Sequence, residues 1–249
     1  MKPNRMTYGQ HPLEFADFYD GGKSANASTL VFFYHQGLWQ KKQTLALMEP
    51  LVNDLVALGY SVVNVEYPSV GTGKNCEEMI MSVFTSFKHF TSIIPHDHTI
   101  VIGHSAGGYY ALMLGLQHCM HKDFCIKDSV LPDMIIAQAP IIDFTLGMIE
   151  PLPNKNNPMD NFIRSEKKDV RRDEYRIHSP QGYMMDEGPI VHIIHGIRDE
   201  NVPLYCSEEY IQNCSYKNVF LTKGHFDHYE VLDPKHRIWA IQKKIISKI

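Results

Sequence analysis

Cysteine is scarce in this sequence. The five present (Cys76, Cys119, Cys125, Cys206 and Cys214) are an odd, scattered set with no CxxC spacing. That argues against a disulfide framework and reads as reduced thiols in a cytosolic protein. A dominant charge is lacking too, since 24 Lys and Arg face 28 Asp and Glu for a formal net charge of −4. Such a balance gives no electrostatic case for nucleic acid or an anionic membrane surface as partner. No apolar run reaches the length of about 18 residues that a membrane span needs. The opening stretch MKPNRMTYGQHPLEF has no apolar core, so no secretory signal is expected in it. Internal repeats and low-complexity tracts are absent as well.

What is present is an ordinary globular composition, 44% hydrophobic and 21% charged over 249 residues. A chain of this length buries about 70–75% of its unfolded surface, and a single domain over 1–249 is expected. Strand-like and helix-like segments alternate. LVFFY (30–34), SVVNVEY (61–67), TIVIG (99–103), DMIIAQA (133–139), PIVHIIHG (189–196) and NVFLT (218–222) read as strands, and EFADFYDG (14–21) as a short edge strand. Helical spacing of apolar residues runs from about 41 to 58, from 76 to 92, and from Ser105 to about 120. A last amphipathic helix is expected from Asp233, with Ile238, Ile241, Ile245 and Ile249 on one face. This order predicts an α/β fold with a mostly parallel central sheet flanked by helices. Residues 144–188 are too long for an ordinary connection. They read as a small cap-like insertion over the C-terminal edge of the sheet, where substrates bind in such folds.

Gly103-His104-Ser105-Ala106-Gly107 is a G-x-S-x-G pentapeptide, which by chance occurs in roughly one chain in ten of this length. Its setting makes it more specific. A strand precedes it and a helix follows it, as a nucleophile elbow requires, and the glycines permit the sharp turn. A serine hydroxyl is a weak nucleophile that needs a base, and the base needs an orienting carboxylate. Both follow in the order serine, acid, histidine. HGIRDENVP (195–203) places Asp199 just beyond a strand, and GHFDHYEVLDP (224–234) offers His228, with His225 as the rival base. YHQGLWQ (34–40) follows the first apolar strand. There the N–H groups of Gln36 or Gly37, with that of Ala106, are the candidate oxyanion hole. Trp39 and His104 are the candidate substrate contacts, Trp39 reading equally well as a core residue. His192 and His195 lie on a strand three positions apart and so face opposite sides, and neither they nor His225 and His228 have metal spacing. No metal and no cofactor are expected.

These segments together resemble the α/β-hydrolase superfamily across nearly the whole chain. More narrowly, YGQHPLEFADFYDG, VFFYHQGLWQ, VIGHSAGG, HGIRDENVP and DHYEVLDP are similar to the kynurenine formamidase (arylformamidase) and small-esterase branch. The resemblance implies Ser105 as nucleophile, Asp199 as acid and His228 as base, since Asp227-His228-Tyr229 matches a family DHF. Gln36 departs from it, standing where the family has the second glycine of HGG. The implied reaction is hydrolysis of N-formyl-L-kynurenine to kynurenine and formate, a step of tryptophan catabolism. The alternative is a carboxylesterase for short-chain acyl esters, and the rival from another class is a non-catalytic binding protein on the same fold. The expected partner is a small aromatic formamide or ester, with no membrane and no nucleic acid, and a homodimer is left open.

Overall fold

The computed structural model describes residues 2–124, 126, 128–145, 157–167, 172–183 and 185–249. Eight strands form one sheet: β1 (Asn4–Thr7), β2 (Phe15–Tyr19), β3 (Thr29–Tyr34), β4 (Ser61–Val65), β5 (His98–His104), β6 (Met134–Gln138), β7 (Ile190–Gly196) and β8 (Val219–Gly224). Their order across the sheet is β1-β2-β4-β3-β5-β6-β7-β8. The pairings from β4 through β8 are parallel, while β1 and β2 join antiparallel.

The near-continuous apolar strands are explained by burial on both faces. In β3, Leu30, Phe32 and Tyr34 point into one core, and Val31 and Phe33 into the other. The first core is roofed by α2 (Cys76–Ile93) and α3 (Ala106–Gly115), the second by α1 (Glu49–Ala57) and the C-terminal α8 (Arg237–Ile246). Between them in sequence lie α4 (Gln117–Phe124), α5 (Pro158–Ile163), α6 (Arg172–Ile177) and α7 (Leu204–Asn213).

Three details differ from expectation. The 14–21 segment is not the edge strand, because β1 pairs outside it (Asn4 with Phe18 through Thr7 with Phe15). The sequence NRMT is largely solvent-facing, so it carries no apolar alternation to announce a strand. In α8 the buried face is Ile238, Trp239, Gln242, Ile245 and Ile246, and Ile241 is 41% exposed. The stripe follows i, i+1, i+4, i+7, i+8, so it is turned toward Trp239 and leaves i+3 outside it. The helix after Ser105 breaks at Leu116 before α4 begins. Of the expected 144–188 insertion, residues 146–156, 168–171 and 184 lie outside the described residues.

Candidate active site

Ser105 joins β5 to α3 with φ 55° and ψ −113°, a left-handed conformation costly for a residue with a Cβ. Its neighbours leave no other way round. A Cβ on Gly103 would lie 2.0 Å from the carbonyl oxygen of Gly107, and one on Gly107 would lie 2.0 Å from that of Tyr34. Helix, turn and strand are therefore in backbone contact, and the two glycines make that contact sterically feasible. The Ser105 N–H donates to the carbonyl of Gln138 on β6 (2.8 Å), fixing the turn to the next strand. The following N-terminus of α3 directs its positive end to the turn.

Asp199 sits in the loop after β7. Its Oδ1 accepts from the N–H groups of Val202 (2.8 Å) and Asn201 (2.9 Å), which fix the plane of the carboxylate. Oδ2 accepts from His228 Nδ1 at 2.7 Å, and His195 Nε2 lies 3.4 Å away. Burial alone would raise this carboxyl, but the donors from His195, His228 and Val202 outweigh it and hold it well below the usual carboxylate range. The two loops meet through the backbone as well, where Arg198 N–H donates to the carbonyl of Phe226 (3.2 Å). Asp227 caps the turn that carries His228, its Oδ1 accepting from the N–H groups of Tyr229 (2.8 Å) and Glu230 (2.9 Å). His228, and not the exposed His225, is thus the histidine brought to Asp199. Its ring also packs on His104 with centroids 4.6 Å apart, which sets it against the residue preceding Ser105.

The turn at Gln36 and Gly37 is held from below by a buried cluster. His35 Nε2 meets Glu66 Oε1 at 2.9 Å, and His35 Nδ1 meets the carbonyl of Gln36 at 2.6 Å. Tyr67 stacks on the His35 ring (centroids 4.2 Å) and donates to the His35 carbonyl (2.6 Å). Glu66 Oε2 also accepts from Leu45 N–H (3.0 Å). In a trans peptide C=O and N–H point opposite ways, so tying the Gln36 carbonyl to His35 aims the Gly37 N–H away from that ring. Gly37, Leu38 and Trp39 then run through three positive φ values (131°, 51° and 56°). Such strain persists only where the surroundings over-determine it.

Two expected substrate contacts lie elsewhere. Trp39 is a core residue, 1% exposed, stacked on Phe162 (4.2 Å) and set edge-on to Tyr109 (5.6 Å). The left-handed backbone at Leu38 and Trp39 folds the indole inward. His104 is fully buried beneath the elbow, where burial and then the nearby His228 depress its pKa and keep it neutral. It supports the His228 ring and does not face a substrate. Conversely, no local sequence pattern marks Glu66, Tyr67 or His195 as parts of the site. Glu66 follows β4, the strand neighbouring β3, and His195 stands four residues before the acid, where its partner is reached only by folding. His192 turns to the opposite side and stacks on Phe220 (5.1 Å).

The fold has relatives of known structure. The bifunctional GH43-CE protein of Bacteroides eggerthii superposes with a TM-score of 0.77 at 17% identity over 98% of this chain, which spans 38% of that protein. A truncated carbohydrate esterase from gut microbiota gives 0.78 at 15% identity, covering 99% of this chain and 96% of its own. Esterase B of Lactobacillus rhamnosis, solved in inhibited form, gives 0.77 at 17% identity, covering 99% and 88%. The fold is therefore that of the α/β hydrolases. No curated protein is significantly similar in sequence. Among the described residues no helix is long and apolar enough to cross a membrane. A family model spans residues 16–213, which include Ser105 and Asp199, and by that match the chain belongs to the BD-FAE family.

Proposed function

We propose that this protein is a serine hydrolase that cleaves carboxylic esters of short acyl groups. The observation that carries the reading is the pairing of a strained Ser105 elbow with a histidine whose Nδ1 is held by a buried carboxylate. His228 Nδ1 donates to Asp199, which leaves Nε2 to take the Ser105 proton as Oγ attacks the ester carbonyl. The oxyanion is received by the N–H groups of Ala106 and of Gln36 or Gly37, each such donor worth about 3 kcal/mol in the transition state. Collapse of the intermediate expels the alcohol, which receives the proton from His228. Water, deprotonated by the same ring, then releases the acid and restores Ser105. Asp199, held ionised, stabilises the imidazolium at both steps.

The formamidase expectation rests on sequence segments alone, whereas two of the structural neighbours named above are esterases, so ester cleavage ranks first. The five scattered cysteines, with no CxxC pair among them, fit a reducing compartment, and we place the protein in the cytoplasm. The deciding experiment measures turnover of acetyl and butyryl esters beside N-formylkynurenine, with S105A as control. A large preference for N-formylkynurenine would reverse the ranking. A folded wild type that neither turns over esters nor reacts with a fluorophosphonate would instead be a silent binding protein.

A further inference from the structure

A second cluster of reactive side chains lies where His178, just after α6, meets the start of α2, and acyl transfer makes no use of it. Cys76 and Glu77 open α2, and the reciprocal capping of Asn75 and Glu78 fixes that first turn (2.9 and 2.8 Å). His178 follows α6 and is fully buried, as is Cys76. The Nδ1 of His178 lies 2.7 Å from the carbonyl oxygen of Glu174. A carbonyl only accepts, so Nδ1 carries the hydrogen and Nε2 turns the other way. There it meets Cys76 Sγ at 3.1 Å and Glu77 Oε1 at 3.5 Å. Three atoms with lone pairs converge, and a positive species has to sit among them, either a proton or a metal cation.

We propose that Cys76, Glu77 and His178 bind a divalent transition metal of the zinc class, clamping residues 172–183 onto α2. A thiolate, an imidazole and a carboxylate are the donor types such an ion selects. With zinc–ligand bonds of about 2.0–2.3 Å, a tetrahedral site sets sulfur and nitrogen about 3.5 Å apart, and nitrogen and oxygen about 3.3 Å apart. The observed separations need shifts of a few tenths of an ångström. The outer shell is in place too, since the Glu174 carbonyl orients the imidazole, as metal-bound histidines require. Lys167 Nζ bridges Glu77 (2.7 Å) and Glu174 (2.6 Å). The Glu77 side chain is 37% exposed, which gives the ion a path in and water a fourth position. Burial pushes the Cys76 thiol up to about 12, so binding displaces its proton to solvent as the S–metal bond forms, with no electron transferred.

The test adds cobalt(II) to the purified, metal-stripped full chain near neutral pH. A near-ultraviolet thiolate-to-cobalt band with the visible bands of a tetrahedral ion is expected, displaced by zinc. C76S should abolish the thiolate band, and H178Q should weaken binding at least about tenfold, the size seen even for loss of an outer-shell partner. C119S should change neither, which matters because Cys119 Sγ lies 3.1 Å from His118 Nε2 with Asp186 beside them. Zinc should raise the unfolding midpoint of wild type and C119S but not of C76S. Absence of a thiolate band, its survival in C76S with loss in C119S, or an unmoved wild-type midpoint would each overturn the site.

Discussion

Two buried imidazole–carboxylate pairs flank the elbow, and they differ in what is left over. His35 spends both ring nitrogens, Nε2 on Glu66 and Nδ1 on the Gln36 carbonyl. His228 spends Nδ1 on Asp199 and, among the described residues, makes no second hydrogen bond. The same chemical pair therefore serves two ends. A ring anchored at both nitrogens holds backbone in place, while a ring anchored at one keeps a basic nitrogen for a proton in transit. Histidine beside a carboxylate is for that reason no signature of catalysis until the second nitrogen is accounted for.

The largest effects should fall on the pair that moves the proton. S105A and H228A should each lower kcat on a short-chain ester by about 10⁴- to 10⁶-fold with the fold intact. H225A should stay near wild type, because that side chain is exposed and Asp199 is bonded to His228. An H225A variant as dead as H228A would dissolve the distinction drawn between the two histidines.

Trp39 tests the border between core and site. W39A should cost about 3–5 kcal/mol of stability, read from urea unfolding, since it empties the stack on Phe162 and the edge contact with Tyr109. W39F should recover most of that stability and most of the ester activity. Recovery of stability without activity would return Trp39 to the list of substrate contacts.

The anchoring pair should show a smaller catalytic effect of a different kind. E66Q should slow kcat by up to about 10²-fold with KM little changed, the cost of an oxyanion turn displaced by about 1 Å. Pre-steady-state acylation is the measurement that checks it. A slowed deacylation with normal acylation, or no change at all, would mean that Glu66 does not position Gly37.

These pairs were unequally visible in the sequence. Ser105, Asp199 and His228 each follow a strand in a fixed chain order, so local pattern and topology together point to them. Glu66 also follows a strand, yet its partner lies 31 positions away just beyond the neighbouring strand, and a lone buried glutamate has no one-dimensional signature. Cys76 and His178 are separated by 102 positions, and the adjacent Cys76-Glu77 pair fits no familiar metal spacing. The parallel strands were legible because burial on both faces makes them continuous apolar runs. Strand β1 was not, because an exposed edge pairs through backbone groups that the side chains do not advertise.

The smallest expected effect separates the two pairs by acid. Asp199 is held below its ordinary value in the folded state, so it contributes stability above its unfolded pKa of about 3.9 and loses that contribution as pH falls toward the folded value. D199N removes the titration while leaving the side chain's size nearly unchanged. The difference in unfolding free energy between wild type and D199N should therefore be constant above about pH 5 and shift against wild type below about pH 4. A difference that stays flat into acid would mean that the carboxyl is already protonated in the folded protein. His228 Nδ1–H would then face a neutral acid, and Asp199 would lose the charge that the proposed proton transfer requires.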